Sequence, residues 1–106
     1  MGLHVIKSTD RIGQLLKHGR KAYHTTFTLF YMRDASSTDG EVAVIAGKKA
    51  FKKAVARNFA KRRMRALLRA CGIPAGMSVI LMAKPPLTNA KYDNLLAVVG
   101  NMVKGL

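Results

Sequence analysis

Between Lys48 and Arg69 the chain carries ten lysines and arginines and no carboxylate: Lys48, Lys49, Lys52, Lys53, Arg57, Lys61, Arg62, Arg63, Arg65 and Arg69. Four of these, Arg57, Lys61, Arg65 and Arg69, recur at i, i+4, i+8 and i+12. On a helix that spacing is a stripe drifting by about 40° per step, with Asn58 and Arg62 beside it. Like charges so placed repel by a few tenths of a kcal/mol per pair, and no acid within the stretch relieves them. An external polyanion does relieve them: its phosphates neutralise the stripe, and the counterions released add affinity. Asn58 both donates and accepts hydrogen bonds, which suits it to ordering Arg57 or to meeting a base edge or a sugar hydroxyl. The plainer reading is a solvated helix face, but such faces ordinarily mix the two signs of charge.

The remaining reactive residues do not assemble a hydrolytic centre. A protein nuclease working with two metals needs several convergent carboxylates, and this chain has Asp10, Asp34, Asp39, Glu41 and Asp93, three of them in or beside one polar loop. His4, His18 and His24 are scattered without metal-ligand spacing, so no metal site is expected in the protein. Cys71, the single cysteine, cannot form an internal disulfide. It reads as a partly buried side chain in preference to a reactive thiol activated by Arg69. Independent catalysis and a small-molecule substrate are not expected.

The chain's 106 residues, net charge of +14 and 49% hydrophobic content suit one domain, residues 1–106, with its own core and a strong positive field. No apolar run approaches the roughly 18 to 20 residues that cross a bilayer, and the basic helix lacks a large aromatic or Leu-rich insertion face, so no membrane partner is expected. Met1-Gly2-Leu3-His4-Val5-Ile6 has neither the apolar stretch of a signal peptide nor the Ser or Thr of a myristoylation motif. The expectation is a reduced, cytoplasmic protein.

Hydrophobic periodicity gives the order α-β-β-α-β-α. Ser8 or Thr9 caps a first helix that turns Ile12, Leu15 and Leu16 inward and stops at Gly19. Thr25 to Arg33 is rich in β-branched and aromatic residues and reads as a strand, Asp34 to Gly40 as a turn, and Glu41 to Gly47 as a buried strand, the two strands forming an antiparallel hairpin. Lys53 to Cys71 is the longest helix, closed by Gly72 and Pro74. Met77 to Ala83 is an apolar strand between prolines. Thr88 or Asn89 then caps a last helix with Tyr92, Leu95, Leu96, Val99, Met102 and Val103 on one stripe. Val42 to Ala83 is a βαβ unit, so its strands should be parallel neighbours, and the fold class is α+β, a small α/β sandwich.

Gly47-Lys48-Lys49 followed by Arg57-Asn58-Phe59-Ala60-Lys61-Arg62-Arg63-Met64-Arg65 resembles the signature of the bacterial ribonuclease P protein subunit. Chain length, element order, and the apolar strand ending before Lys84 also fit, so the resemblance covers most of the chain. Phe59 stands where the family has a second arginine, and Arg63 where it usually has an apolar residue. Their i, i+4 spacing places Arg63 over the Phe59 ring with its guanidinium directed outward.

The resemblance implies a partner of a large catalytic RNA that, with Mg²⁺ bound chiefly by that RNA, removes the 5′ leader of precursor tRNA; the RNA performs the chemistry. It implies that Arg57, Asn58, Lys61, Arg62, Arg65 and Arg69 hold the ribonuclease P RNA, with Lys48, Lys49, Lys52 and Lys53 adding phosphate contacts. It further implies a left-handed βαβ crossover and a cleft between sheet and first helix for the single-stranded leader. Phe30, Tyr31 and Thr28 on the strand match that cleft, and the family's helical aromatics fall on Ile12 and Leu16, which leaves fewer rings for bases to stack on. Strand alternation alone leaves open which set, Phe27, Leu29 and Tyr31 or Thr28, Phe30 and Met32, faces the helices. The competing reading is a structural, rRNA-binding ribosomal protein. An enzyme that cleaves RNA without an RNA subunit is the reading from another class.

Overall fold

The computed structural model describes residues 4–33 and 40–105. Along them run β1 (His4–Val5), α1 (Thr9–His18), β2 (Arg20–Tyr23), β3 (Phe27–Arg33), β4 (Glu41–Ile45), α2 (Ala54–Cys71), β5 (Met77–Ala83), a 3₁₀ turn (Pro85–Thr88) and α3 (Tyr92–Lys104). The α-β-β-α-β-α order expected from periodicity therefore lacks two short strands. β1 has two residues, too few to show a period, and β2 is the polar edge segment Arg20-Lys21-Ala22-Tyr23, without apolar alternation. The expected turn over Asp34 to Gly40 lies outside the described residues except for Gly40, as does the N-terminal Met1-Gly2-Leu3.

The strands form one sheet in the order β1-β4-β5-β3-β2. β4 and β5 are adjacent and parallel, Val42 opposite Val79 and Val44 opposite Leu81, as the βαβ pattern implied. The antiparallel hairpin expected of β3 and β4 does not form, because β5 lies between them and pairs antiparallel with β3 from Phe27↔Ala83 to Arg33↔Met77. The cause is burial. β5 is apolar on both faces and buried at every residue except Met82, so it takes the middle of the sheet and the β3 edge that β4 would otherwise have used.

Helices cover both faces. On one side α2 and α3 pack Ala60, Met64, Leu67, Leu68, Leu95 and Val99 against Phe27, Leu29, Val79 and Leu81; on the other, Leu15 of α1 packs with Ile6, Phe30, Ala43 and Ile80. Each fully buried side chain of this size stabilises the fold by about 1.5–3 kcal/mol over leaving it exposed. Alternation along β3 is thereby decided: Phe27, Leu29 and Tyr31 face α2 and α3, while Phe30 and Met32 face α1. Tyr31 thus leaves the cleft group to which the resemblance matches it, since a one-residue step along a strand changes sheet face.

The helix ends follow local chemistry. Ser8 caps α1, its hydroxyl accepting from the Arg11 N–H. Gly19 ends that helix because a Cβ there would sit 2.4 Å from the Leu15 carbonyl oxygen. Gly72 ends α2 at φ 72°, in the left-handed region that favours glycine. The last helix departs from expectation: Thr88 and Asn89 close the 3₁₀ turn by hydrogen bonds to the Pro85 and Pro86 carbonyls, and α3 begins at Tyr92 after Lys91. Two consecutive prolines fix φ and supply no N–H, which favours that short turn over the start of an α-helix.

Candidate nucleic-acid interface

The apolar stripe of α2, Ala60, Met64, Leu67 and Leu68, is buried, and that fixes which residues look outward. At 100° per residue, Asn58, Arg62, Arg65 and Arg69 fall in one band on the opposite side, and all four are exposed. Among the described residues, none of these three arginines has a hydrogen-bond or ion-pair partner. Lys61 is half-buried at the margin of the band. Phe51, 4% exposed, pins the segment before α2 into the core, and the neighbouring Lys48, Lys49, Lys52 and Lys53 remain exposed.

Two arginines of the motif are already engaged. Arg57 is half-buried, and its Nη1 donates to the carbonyls of Phe51 at 3.0 Å and Lys52 at 3.2 Å. It ties the first turn of α2 to the lysine-bearing segment, so it positions those lysines. Arg63 lies over Phe59, 5.4 Å from the ring centroid, as the spacing suggested. Its guanidinium, however, is not directed outward: Nη1 donates to Ala90 O at 2.6 Å and Leu87 O at 3.2 Å, and the group also lies 6.0 Å from the Tyr92 ring. Residues after β5 supply those carbonyls, and no local sequence pattern announces them.

Beneath α1 the matched residues come together differently. Phe30 and Thr28 are 7% and 6% exposed, and Ile12 and Leu16 pack half-buried against the cluster containing Phe30. Lys21 on β2 lies 5.7 Å from the Phe30 ring centroid, which places a cation at the edge of the cluster. Little of the ring is open for a base to stack on.

A pocket of about 130 Å³ opens at the sheet edge, lined by Val5, Ile6, Ile12, Val42, Ala43, Val44 and Arg65. It brings Ile12 of α1 and Arg65 of α2 to one concavity, a juxtaposition set by β1, the strand too short for periodicity to show. A smaller one of about 60 Å³ continues past Val5 and Val42 to Arg65 and Arg69.

Sequence reasoning also missed the polar tie that holds α1 on the sheet. Arg11 donates from Nη2 to Ser78 Oγ at 2.9 Å and from Nε to Glu41 Oε2 at 3.4 Å, and Ser78 Oγ donates to the same carboxylate oxygen at 3.0 Å. This pairing over separations of 30 and 67 residues has no sequence signal beyond the scarcity of acids. It assigns Glu41 a structural role. Cys71 is half-buried, its Sγ 3.9 Å from Leu96 O, and burial pushes its thiol pKa up, away from an activated thiolate. Among the described residues no three His, Cys, Asp or Glu side chains group so as to hold a metal ion, and no helix is long and apolar enough to cross a membrane.

Comparison with known proteins gives one consistent result. The family model described as Ribonuclease P matches residues 2–106. A curated relative, the ribonuclease P protein component of Phytoplasma australiense, is 26% identical over 94 residues, covering 87% of this chain and 81% of its own. Among solved structures, the ribonuclease P protein of Staphylococcus aureus superposes with a TM-score of 0.80 at 18% identity, over 95% of this chain and 93% of that one. The Thermotoga maritima ribonuclease P protein gives 0.76 at 17% identity, over 90% of each chain. At these identities the structural likeness establishes the α+β fold.

Proposed function

The chain belongs to the ribonuclease P protein family, and we propose how it works as a protein subunit of ribonuclease P and a partner of its RNA. The outer band of α2 docks on the RNA subunit, Arg62, Arg65 and Arg69 meeting phosphates and Asn58 a base edge or sugar hydroxyl. Lys48, Lys49, Lys52 and Lys53 extend the interface, with Lys61 at its margin and Arg57 holding the lysine segment against the helix. The single observation that carries this reading is the band itself: cations of one sign, exposed, on a helix whose opposite side is anchored in the core. A helix face rich in cations and poor in acids suits a phosphate backbone.

The substrate in this reading is precursor tRNA, whose single-stranded 5′ leader runs between α1 and the sheet, beside Ile12, Leu16, Thr28 and Phe30. Phe30, mostly buried, shapes the floor of this path. The RNA performs the cleavage, and Mg²⁺ is bound chiefly by the RNA, whose phosphates offer the hard oxygen ligands this ion prefers. The protein's part is electrostatic, screening phosphate repulsion between two RNAs and lowering the Mg²⁺ concentration needed. The free Cys71 fits a reduced, cytoplasmic setting.

Sequencing the RNA that crosslinks to the tagged protein in its native cells tests the reading. A dominant ribonuclease P RNA, with precursor tRNA leaders as the minor class, is the expected result. Predominantly ribosomal RNA would replace it with a structural ribosomal role.

A further inference from the structure

Within the cationic helix there is an apolar patch that electrostatics does not explain. Val55 and Phe59, one helical turn apart, are 80% and 44% exposed. The Phe59 ring is not left to swing in solvent, since the Arg63 guanidinium covers it at 5.4 Å and is itself held by the carbonyls of Leu87 and Ala90. One side of the ring is thereby supported while nearly half the residue stays open. Asn58 precedes it, and the exposed Arg62 follows within one turn.

We propose that Phe59 is a stacking platform for an unpaired base of the RNA subunit, with Arg63 as its positioning residue and Arg62 and Asn58 meeting the phosphate and sugar of the same nucleotide or its neighbour. The inference rests on the reading of α2 as the RNA-binding face. Three features favour a base over a protein partner. The segment that bears it, Lys48 to Arg69, carries ten cations and no acid, so the complementary surface is polyanionic. An aromatic face supported from behind meets a planar base without further ordering of the ring. Stacking on an aromatic accepts any base and contributes affinity without counterion release. In this position a phenylalanine binds by stacking where an arginine would bind electrostatically.

The last distinction supplies the test: equilibrium binding of the full chain to ribonuclease P RNA over a series of salt concentrations. Phe59→Ala is expected to weaken binding about five- to hundredfold, the range of one stacked base, with the slope of log affinity against log salt unchanged. Phe59→Tyr keeps the ring and is expected to bind like the parent protein. Phe59→Arg is expected to steepen the slope by about 0.7 to 0.9. Because nearly half the residue is open and Arg63 keeps its bonds to the Leu87 and Ala90 carbonyls, these variants are expected to lower the thermal unfolding midpoint only slightly. Two results would overturn the platform: Phe59→Ala binding like the parent, or a weakening accompanied by a shallower slope. Self-association of the RNA-free parent in sedimentation, abolished by Phe59→Ala, would assign the patch to a second copy of the chain instead. Arg65→Ala, measured alongside, separates the two readings. If it weakens binding while Phe59→Ala does not, only the platform fails; if the parent protein does not bind this RNA, the RNA-docking reading fails with it.

Discussion

Along the outer side of α2, Asn58, Arg62, Arg65 and Arg69 stand exposed, whereas on the sheet face under α1 Phe30 and Thr28 are 7% and 6% exposed. Both regions match the same family pattern, yet their side chains carry different duties. The α2 band is attached to the fold only through its backbone, the helix being anchored by Met64, Leu67 and Leu68 on the opposite side. Its cations can be exchanged at little cost to stability. The α1 region is a packed cluster in which the residues that would meet a leader also hold a helix to the sheet. Weakened RNA binding can therefore be read directly at Arg62, Arg65 or Arg69, while at Phe30 binding and folding are entangled.

The strongest effect is expected in the packed cluster. Phe30→Ala should lower unfolding stability by about 3–5 kcal/mol, as for other buried aromatics, in a denaturant titration. If stability holds and leader binding alone disappears, the cluster is an open cleft and the two regions do not differ in kind. Phe30→Leu, which keeps most of the volume, separates the duties more finely: RNA-subunit affinity should be retained and any weakening confined to the leader.

Within the cationic motif the same division recurs on a smaller scale. Arg57 is bonded to the Phe51 and Lys52 carbonyls, so Arg57→Ala should cost about 1–2 kcal/mol of stability, below the full value of charged hydrogen bonds because the site is half-exposed, and RNA affinity should fall with it. Arg62→Ala should stay within about 0.5 kcal/mol of the parent, as for surface substitutions. Equal destabilisation in the two variants would erase the distinction between positioning and RNA-contacting arginines.

The smallest effect concerns Cys71. Burial raises its thiol pKa, so the folded state disfavours the thiolate. The resulting stability is present below the unfolded thiol's pKa and fades as pH rises through the folded value. Alkylation at a given alkaline pH should accordingly be slower in the folded chain than after denaturation. Equal rates would contradict the burial.

What is legible in the sequence follows the same division. α2 is readable to within a residue because an apolar stripe, a Gly72 stop and Pro74 coincide, and β5 because prolines bracket an apolar run. The cationic band of α2 is readable in part: charge marks Arg62, Arg65 and Arg69 as outward, whereas Arg57 and Lys61 of the same expected stripe are half-buried. The parts of the fold that escape are those that depend on distant chain. β2 is polar and becomes a strand only by pairing with β3; β3 and β4 are separated by a strand that lies more than thirty residues later in the sequence. Alternation separates Tyr31 from Phe30 but has no sign until the helices dock, so which of the two faces α1 is not legible. Likewise, nothing near Arg63 announces the Leu87 and Ala90 carbonyls that hold it.

Whether the outer band of α2 meets the RNA is decided most directly by the salt dependence of ribonuclease P RNA binding, measured for the parent protein and Arg65→Ala at equal folded fraction. If the band is the docking face, Arg65→Ala binds more weakly and its log–log slope is shallower by about 0.7 to 0.9 for each phosphate no longer neutralised. An unchanged affinity with an unchanged slope would place the RNA elsewhere on the protein.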